Sequence, residues 1–547
     1  MTSTYSEALA LAEQGRYADA EAVLREGLQA NPADRQASSA LARLQLLQGR
    51  ATPAPESVEA AVALAQTLAA MRGAVPLQGA DEGARLQAAV ELILSVTSRL
   101  PEASKPTAAR ILWRAGYYAE ADALGGVTEL GREIALHGGP ELLLHQLAKI
   151  ETDADRLEVI QQHRLWGERI ERTVAAAPVA RPPRDPTRGK FRLGFLSSDL
   201  RHHVVAFFAQ PLFEFLDPRF EVYCYSSFRG APDPAQQWIA GRSTAYRILP
   251  ADDREAAEVV AADDLDLLIE LSGTTPLSRP GVLARKPARL QASWLGYPQS
   301  LGLAAIDFIL VDPYLAPPRR ELLLETPLLM PACWVCMGPA AFQPVPAVET
   351  VPPVERTGHV TFGTANDPYK FTPRLLRTWA RVLAATPGSR FMFLRPEAGA
   401  ASFRENIARH FAEKGVGAER LDFRPVRGGI RPIYGEMDIA LDTFPLTGGT
   451  TTCEALWMGV PTVTLVGEAM FERLGWSILN NAGLADLAAT TVEDYIRIAV
   501  GLAQSPARLS ELRQGMRSRI GLTPLGQPRQ FAQAFYDLMA TTIATAS

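Results

Sequence analysis

The chain contains 547 residues, of which 47% are hydrophobic and 21% are charged, and its formal net charge is −5. This length predicts about three domains, and the composition is typical of a soluble globular protein. The acidic balance argues against a broad nucleic-acid footprint. The start of the chain lacks the apolar core of a signal peptide, and no apolar run reaches the roughly 18 residues that a transmembrane helix needs. We therefore expect a cytoplasmic protein that has neither nucleic acid nor a membrane as a partner.

The cysteines predict a reduced protein without a metal site. Only four are present, which is too few for a disulfide scaffold. Cys333 and Cys336 form a C-x-x-C pair, but no second pair follows at the spacing of a zinc site, and the chain has only seven histidines. We expect buried thiols, no metal and no cofactor. A metal-binding or redox role for the pair is the alternative.

Residues 1–175 are predicted to be helical. Small and apolar residues recur in the first 34 positions as they do in one tetratricopeptide repeat, which this segment resembles. A second unit begins after residue 35 and is broken by prolines at 52–55, so we expect a short, degenerate solenoid. Such a face binds peptides or proteins; alternatively, the helices pack on the rest of the chain or form a homodimer. The repeat pattern is carried by Ala8, Leu11, Gly15, Tyr17, Ala20, Leu24, Leu28 and Pro32.

Two linkers divide the remainder of the chain. Residues 176–190 are rich in Pro and Arg, and residues 343–356 are rich in Pro. Apolar strands alternate with helix-like stretches after each linker, which predicts two α/β domains, at 191–342 and 357–547. Doubly wound sheets bind ligands at the carboxyl ends of their strands, so we expect a ligand in a cleft between these domains. The predicted strands are 191–196, 220–225, 265–271, 290–294, 308–311, 360–363, 391–394, 421–423, 439–442 and 462–465.

The loop after the strand at 439–442 carries the strongest chemical signal. Two glycines precede three threonines, and a helix-like run begins at Cys453. Glycines allow close backbone approach, and the free N–H groups and dipole of a helix N-terminus favour a phosphate. We predict a site for a nucleotide diphosphate, with an acidic side chain accepting from the ribose hydroxyls; the alternative is an ordinary capped helix. The residues of this site are Gly448, Gly449, Thr450, Thr451, Thr452 and Glu454.

Histidine and lysine candidates follow the first strand of each domain. His202 and His203 end the loop after the strand at 191–196, where a histidine acts as acid, base or phosphate ligand, or is structural. Lys370 precedes a helix that we expect to be capped by Thr372. A lysine at this place suits a diphosphate, and the alternative is a solvated surface lysine.

Two further loops complete the set of candidates. The Trp-Leu-Gly-Tyr-Pro turn brings Tyr297 and Pro298 beside the expected cleft, where the Tyr297 ring fits under a sugar. A core aromatic is the alternative, and it fits Trp294 better than Tyr297. The acidic run at 263–266 could mimic a metal-binding D-x-D motif, but it leads straight into a strand and is interpreted as a solvated loop.

Four motifs, in this order, resemble those of the O-linked N-acetylglucosamine transferase family of protein glycosyltransferases, including its fucosyl-transferring SPINDLY branch. They are GFLSSDLRHH (194–203), LARKPARLQASWLGYPQSLGL (283–303), FGTANDPYKFTP (362–373) and LDTFPLTGGTTTCEALWMGVPTVTL (441–465). The resemblance implies a GT-B fold, which is two Rossmann-like α/β domains, preceded by an all-α tetratricopeptide region. It also implies metal-independent, inverting transfer of a sugar from a nucleotide donor to Ser or Thr of a protein.

The resemblance implies a role for each matched residue. His203 matches the active-site histidine and is the candidate base for the acceptor's proton. Lys370 matches the lysine that holds the donor diphosphate, and Glu454 matches the acidic residue at the ribose. The remaining matches are Thr450 and Thr451 at the phosphates and Tyr297 and Pro298 near the sugar.

Three departures from the family leave the nucleobase and the sugar of the donor open. Gly-Thr-Thr at 273–275 stands where the family often has Gly-His-Thr. Gly-Gly-Ile-Arg at 428–431 lacks the histidine that usually lies near the nucleobase. Gly449 replaces the histidine of the animal enzymes. UDP-N-acetylglucosamine is the expected donor, and GDP-fucose or another nucleotide sugar is the alternative. The implied partner is a protein acceptor, which in some bacterial relatives is flagellin. Competing hypotheses are a GT-B enzyme acting on a small molecule, a nucleotide-sugar epimerase, and a non-catalytic repeat scaffold with a decayed transferase domain.

Overall fold

The computed structural model describes residues 17–31, 57–70, 80–174, 179–183, 187–273, 277–337, 347–427 and 431–546, with the single residues 8, 11, 37, 40, 41, 44 and 185. Several predicted features lie outside these residues. They are Gly15 and Pro32 of the repeat pattern, the break at 52–55, the parts 176–178 and 343–346 of the two linkers, and the departures at 274–275 and 428–430.

The described part of the N-terminal region is helical, as the sequence predicts. Ala20 and Leu24, one helical turn apart, are fully buried in one cluster with Ala8. Leu11 and Leu28 pack against the same cluster. Five positions of the repeat pattern therefore share one core. The helices are α1 (Tyr17–Ala30), α2 (Val58–Ala70), α3 (Ala80–Val96), α4 (Lys105–Arg114), α5 (Tyr118–Asp122), α6 (Val127–His137), α7 (Pro140–Leu147) and α8 (Asp153–Val174).

The first sheet is parallel throughout and has the order β3-β2-β1-β4-β5-β6-β7. Phe195 of β1 lies opposite Cys224 of β2 and Ile269 of β4. All three are buried because helices cover both faces of such a sheet. The strand order reverses between β1 and β4. The strands are β1 (Phe191–Leu196), β2 (Phe220–Ser226), β3 (Ala245–Ile248), β4 (Leu267–Glu270), β5 (Leu290–Ser293), β6 (Phe308–Val311) and β7 (Thr326–Leu329).

The second sheet repeats this plan with the order β10-β9-β8-β11-β12-β13. Strand β11 pairs in parallel with both β8 and β12, and the order reverses between β8 and β11. Two doubly wound α/β domains are thereby confirmed. The strands are β8 (Thr361–Thr364), β9 (Arg390–Leu394), β10 (Leu421–Arg424), β11 (Ile439–Leu441), β12 (Thr462–Leu465) and β13 (Ala488–Ala489).

Helices connect the strands, and the last helix returns to the first sheet. The Phe535 ring lies 5.4 Å from the Trp294 ring, centroid to centroid, and the Tyr536 hydroxyl donates to the Leu212 carbonyl at 2.7 Å. The helices are α9 (Val204–Glu214), α10 (Pro234–Ala240), α11 (Asp253–Ala262), α12 (Pro280–Leu283), α13 (Pro353–Thr357), α14 (Pro373–Ala385), α15 (Ala401–Ala412), α16 (Thr450–Trp457), α17 (Leu474–Asn481), α18 (Val492–Ala503), α19 (Pro506–Gly521) and α20 (Pro528–Ala546).

The internal contacts divide the chain into two compact units. The first consists of Met1–Gly126, Asp367–Arg377 and Met392–Ile430, and the second of Val127–Asn366, Thr378–Phe391 and Arg431–Ser547. In the second unit, helix α8 packs beside the first sheet, where the Glu171 carboxylate accepts from the Ala305 backbone at 3.0 Å. The domain boundaries drawn from the sequence stay a prediction.

The structure corrects two expectations about local structure. Strands β3, β7 and β13 were not predicted, because each is short and only partly apolar. The acidic run at 263–266 is not a solvated loop. Arg188 donates to Asp264 at 2.9 Å and to Asp266 at 2.6 Å, and both carboxylates are buried. Charged side chains are buried when they are paired in this way.

Candidate functional site

The predicted site residues follow the carboxyl ends of strands at, or next to, the reversal of strand order in each sheet. His203 follows β1, and Lys370 follows β8. The glycine–threonine loop follows β11, and the Tyr297–Pro298 turn follows β5, the strand next to β4. Open parallel sheets bind ligands at these positions. The topology therefore agrees with the placement that the sequence predicts.

A buried carboxylate shapes the glycine–threonine loop. Oδ1 of Asp442 accepts from the backbone N–H of Thr443 at 2.9 Å and from that of Gly448 at 2.7 Å. Oδ2 accepts from the Thr464 hydroxyl on β12 at 2.8 Å, and the Asp442 side chain is almost fully buried. One acceptor thus fixes both the beginning of the loop and its glycine pair.

The two glycines of this loop differ in the space around them. A Cβ atom on Gly448 would lie 2.6 Å from Thr451 Oγ1 and 2.8 Å from Asp442 Oδ1, and these two atoms are already held by hydrogen bonds. A Cβ atom on Gly449 would meet only a Leu474 methyl carbon, at 4.0 Å. Gly448 is therefore required by close approach, whereas position 449 has room for a side chain.

Helix α16 begins at Thr450, three residues earlier than the sequence predicts. All three threonines consequently lie in its first turn, and the preceding Gly449 has no side chain with which to cap it. Thr451 Oγ1 donates to Oδ1 of Asn366 at 3.0 Å, and Thr452 Oγ1 donates to the Gly448 carbonyl at 3.0 Å. The first backbone N–H groups of a helix have no partner within the helix. This end of α16 therefore presents N–H donors and the positive end of a helix dipole.

The predicted site residues of this loop differ in exposure. Gly448 and Thr452 are buried, whereas Gly449, Thr450, Thr451 and Glu454 are half-buried. Glu454 lies one turn after Thr450 on the same helix. The half-buried residues are the ones that a ligand at this helix end can reach.

His203 caps helix α9, which begins after the carboxyl end of β1. Its Nδ1 accepts from the Val205 backbone N–H at 3.3 Å, and the same atom lies 3.8 Å from Oδ2 of Asp199. The His203 side chain is 35% exposed, which leaves part of the ring accessible. In the same loop, the Ser197 and Ser272 hydroxyls lie 3.0 Å apart and join the segments that follow β1 and β4.

Lys370 ends a short 3₁₀ turn, Pro368–Lys370, that Asp367 caps. The Asp367 carboxylate accepts from the Tyr369 N–H at 3.3 Å, and the Lys370 side chain is half-buried. Thr372 Oγ1 accepts from the Leu375 N–H at 3.0 Å, which confirms the predicted cap of α14.

Tyr297 does not present its ring as the sequence predicts. The ring is 2% exposed, and its hydroxyl donates to Nε2 of His163 on α8 at 2.6 Å. Nδ1 of the same histidine donates to the Val159 carbonyl at 2.7 Å, which fixes the neutral tautomer. Burial lowers the pKa of His163 to about 4. Tyr297 is therefore a core residue of the turn, and Pro298 is its half-buried neighbour.

Sequence reasoning missed three residues that organise these loops. Asn366 accepts from Thr451, and it could have been found because it lies in the loop that follows a predicted strand. Glu270, at the end of β4, accepts from the N–H groups of Ser272 and Gly273 and from the Ser293 hydroxyl. Burial raises its pKa to about 7. His163 lies in the middle of a helix and gave no signal.

All four cysteines are free and buried, as predicted. Burial raises the pKa of the Cys336 thiol to about 12, and it also raises the pKa of the Cys333 thiol. Over the described ranges, no group of three or more His, Cys, Asp or Glu side chains is arranged to hold a metal ion. None of the helices in those ranges combines the length and the hydropathy that crossing a membrane requires.

Comparison with known proteins identifies close relatives. The sequence profile of glycosyl transferase family 41 matches residues 151–325 and 356–535. The chain is 32% identical over 384 residues to a probable UDP-N-acetylglucosamine–peptide N-acetylglucosaminyltransferase, SPINDLY, of Arabidopsis thaliana, a match that covers 69% of this chain and 42% of the relative. It is 33% identical over 387 residues to the SPINDLY protein of Eustoma exaltatum subsp. russellianum, covering 69% and 41%.

A solved structure matches the whole chain. A mutant O-GlcNAc transferase of Thermobaculum terrenum superposes with a TM-score of 0.77 at 25% identity, and the match covers 99% of this chain and 97% of that one. The family resemblance and the GT-B fold with a preceding helical region are thereby confirmed. The chain spans about two fifths of the length of the curated relatives named above.

Proposed function

The chain belongs to glycosyl transferase family 41, and from this membership we propose that it transfers a sugar from a nucleotide donor to Ser or Thr of a protein. The observation that carries the proposal is the start of α16. There a glycine with no capping side chain precedes three threonines, and Asp442 holds the loop from behind. This arrangement suits the diphosphate of a nucleotide sugar.

Transfer breaks the bond between the anomeric carbon and the diphosphate, so negative charge develops on the leaving group. We propose that the N–H donors of α16 and the hydroxyls of Thr450 and Thr451 stabilise that charge, and that Lys370 contributes its positive charge. The Thr451 hydroxyl would turn from Asn366 to the phosphate to do so. Glu454 accepts hydrogen bonds from the ribose. Stabilisation of this kind replaces a metal ion, so the transfer is metal-independent in this proposal and needs no cofactor.

His203 is the candidate base. The acceptor hydroxyl attacks the anomeric carbon from the face opposite the diphosphate, which inverts the configuration, and its proton passes to a base. The support for His203 is its partial exposure beside the carboxyl end of β1. In the structure its Nδ1 accepts from the Val205 N–H, so in the neutral ring Nδ1 carries the lone pair. Nδ1 is therefore the nitrogen that would receive the proton, after it releases that hydrogen bond.

UDP-N-acetylglucosamine is the proposed donor, because the curated relatives carry that donor in their names. GDP-fucose is the alternative. The proposed acceptor is a protein, for example flagellin, bound in part by the helical region, and the proposed location is the cytoplasm. The same helical surface would serve a homodimer if the protein forms one.

A thermal-shift screen with UDP-, GDP-, dTDP- and CMP-sugars tests the proposal. We expect one nucleotide sugar to raise the melting temperature of the wild type. Replacement of Lys370 by alanine should lower the transfer rate by about 10²- to 10³-fold. Lys414→Ala, at an exposed position outside the site, is the matched control and should transfer at the wild-type rate. Absence of any shift, together with no gain of mass by any acceptor tested, would favour a non-catalytic scaffold.

A further inference from the structure

A chain of four charged side chains, of which Glu397 is buried and the other three are half-buried, connects helix α4 to the turn that carries Lys370. Arg114, the last residue of α4, donates from Nε to Oε1 of Glu397 at 2.7 Å, and its Nη2 contacts the same oxygen. Arg395 donates from Nε to Oε2 of Glu397 at 3.3 Å and from Nη2 to Oδ2 of Asp367 at 2.6 Å. The Glu397 side chain is completely buried. These residues all belong to the first unit.

The last member of this chain sets the geometry of the lysine turn. Oδ1 of Asp367 accepts from the Tyr369 N–H, and the carbonyl of Asp367 accepts from the Lys370 N–H at 2.9 Å. Burial would raise the pKa of Asp367, but Arg395 and Arg114 hold that pKa well below its ordinary value. The carboxylate therefore stays ionised at neutral pH, and its direction is fixed by the guanidinium of Arg395.

We propose that Arg114 is a positioning residue for Lys370 and acts through the three side chains between them, the buried Glu397 and the half-buried Arg395 and Asp367. A buried carboxylate needs its full set of donors, so loss of one guanidinium makes the remaining partners rearrange. Glu397 would then bind Arg395 more closely, and the hydrogen bond from Arg395 to Asp367 would weaken. The inference rests on the proposed role of Lys370 as a ligand of the donor diphosphate.

The consequence is that the helical region contributes to donor binding without touching the donor. Arg114 lies at the end of a helix and is also tied to α2, because its Nη1 donates to the Ala69 carbonyl at 2.7 Å. A change in the packing of α2 against α4 would reach the lysine turn by this path. Contiguous networks of charged side chains of this kind couple groups that do not touch each other.

The test is the dissociation constant of UDP and of GDP, measured by calorimetry beside the melting temperature. The informative variants are Arg114→Met, Arg114→Lys and the double variant Arg114→Met with Glu397→Gln. The double variant removes the buried unpaired charge, so it folds more readily, but it does not restore the path to Asp367. We expect about tenfold weaker binding for Arg114→Met and for the double variant. Arg114→Lys should be intermediate, because lysine keeps the charge but not the planar fork.

Gln87→Ala is the matched control. Gln87 on α3 accepts from the Ser402 hydroxyl at 2.6 Å and from the Ser402 N–H at 3.1 Å, so it also ties a helix of the N-terminal region to the 392–430 segment. It takes no part in the charged chain. We expect this variant to have a lower melting temperature than the wild type and to bind the nucleotide with the same affinity.

The possible outcomes separate the two proposals. If the wild type binds neither UDP nor GDP, the proposed function fails and this inference fails with it. If Lys370→Ala weakens binding while the Arg114 variants bind like the control, only the inference is wrong. A loss of affinity that follows melting temperature equally in the Arg114 and Gln87 variants would also overturn it, because a merely structural role predicts that pattern.

Discussion

Oδ1 of Asp442 accepts a hydrogen bond of 2.7 Å from the backbone N–H of Gly448, across a loop of five residues. A strand end is thereby joined to the helix that follows it. The contact also brings the Gly448 Cα so close to polar side chains that a methyl group has no room there. A Cβ atom on the neighbouring Gly449 would meet only a Leu474 methyl carbon, at 4.0 Å.

Alanine at these two glycines should have different effects on nucleotide binding. Gly448→Ala forces the loop apart, at a cost of about 1–3 kcal/mol, and should weaken binding of the nucleoside diphosphate by about tenfold or more. Gly449→Ala is the comparison variant: its Cβ makes only an ordinary contact within the protein, so it should leave the loop intact and weaken binding less than Gly448→Ala does. Calorimetric titration of both variants checks this. Equal losses in the two variants would show that the space around Gly448 is not what matters.

Replacement of Asp442 should show how much its buried carboxylate contributes to the free energy of unfolding. Asp442→Ala leaves the N–H groups of Thr443 and Gly448 without a partner, which should lower the free energy of unfolding by about 1–3 kcal/mol per buried group. Asp442→Asn keeps one oxygen as acceptor, and the Thr464 hydroxyl can turn to accept from the new amide. Denaturant unfolding should therefore rank wild type, asparagine variant and alanine variant in that order of stability.

The buried pair of His163 and Tyr297 should make the fold sensitive to acid. The unfolded chain binds a proton at His163 near pH 6.5, and the folded chain does so only near pH 4. Stability from this group is therefore complete above pH 6.5 and is lost as the pH falls, by about 3 kcal/mol at pH 4. In His163→Gln this loss should disappear from the pH dependence of unfolding. A profile in the variant identical to that of the wild type would mean that folding does not lower the pKa of His163.

The titration of Glu270 should change the free energy of unfolding with pH in the opposite direction to that of His163. Its pKa is about 7 in the folded chain and 4.5 in the ordinary state, so the folded state holds the proton more tightly. Its contribution is complete below pH 4.5 and is lost as the pH rises, by about 3 kcal/mol at pH 7. Compared with the wild type, Glu270→Gln should gain stability from pH 5 to 7. His163→Gln and Glu270→Gln should thus deviate from the wild-type curve of stability against pH with opposite slopes.

The sequence predicted the sheets and loops well, because local chemistry determines them. Strand β1 and strand β12 have the predicted bounds, and Thr372 caps its helix as expected. The strands of a buried parallel sheet are apolar runs, and turn residues mark their ends. These features can be read from a few neighbouring residues.

Contacts between distant segments could not be predicted in the same way. Tyr297 is buried because His163, 134 positions earlier, provides a partner for its hydroxyl. The pairing of Arg114 with Glu397 joins residues 283 positions apart. Nothing in the spacing of either pair reveals the contact. The predicted start of α16 was wrong because threonine usually stands before a helix, whereas here Gly449 takes that place.

The burial of all four native cysteines has a practical consequence for labelling. Thiol reagents attack the thiolate, and buried thiols with raised pKa values supply little of it. A cysteine introduced by Gly449→Cys would be half-buried at the start of the helix, where its Cβ meets only a Leu474 methyl carbon, and it would have no competing native thiol. A fluorophore attached to it would report ligand arrival at the start of α16 in the otherwise native sequence.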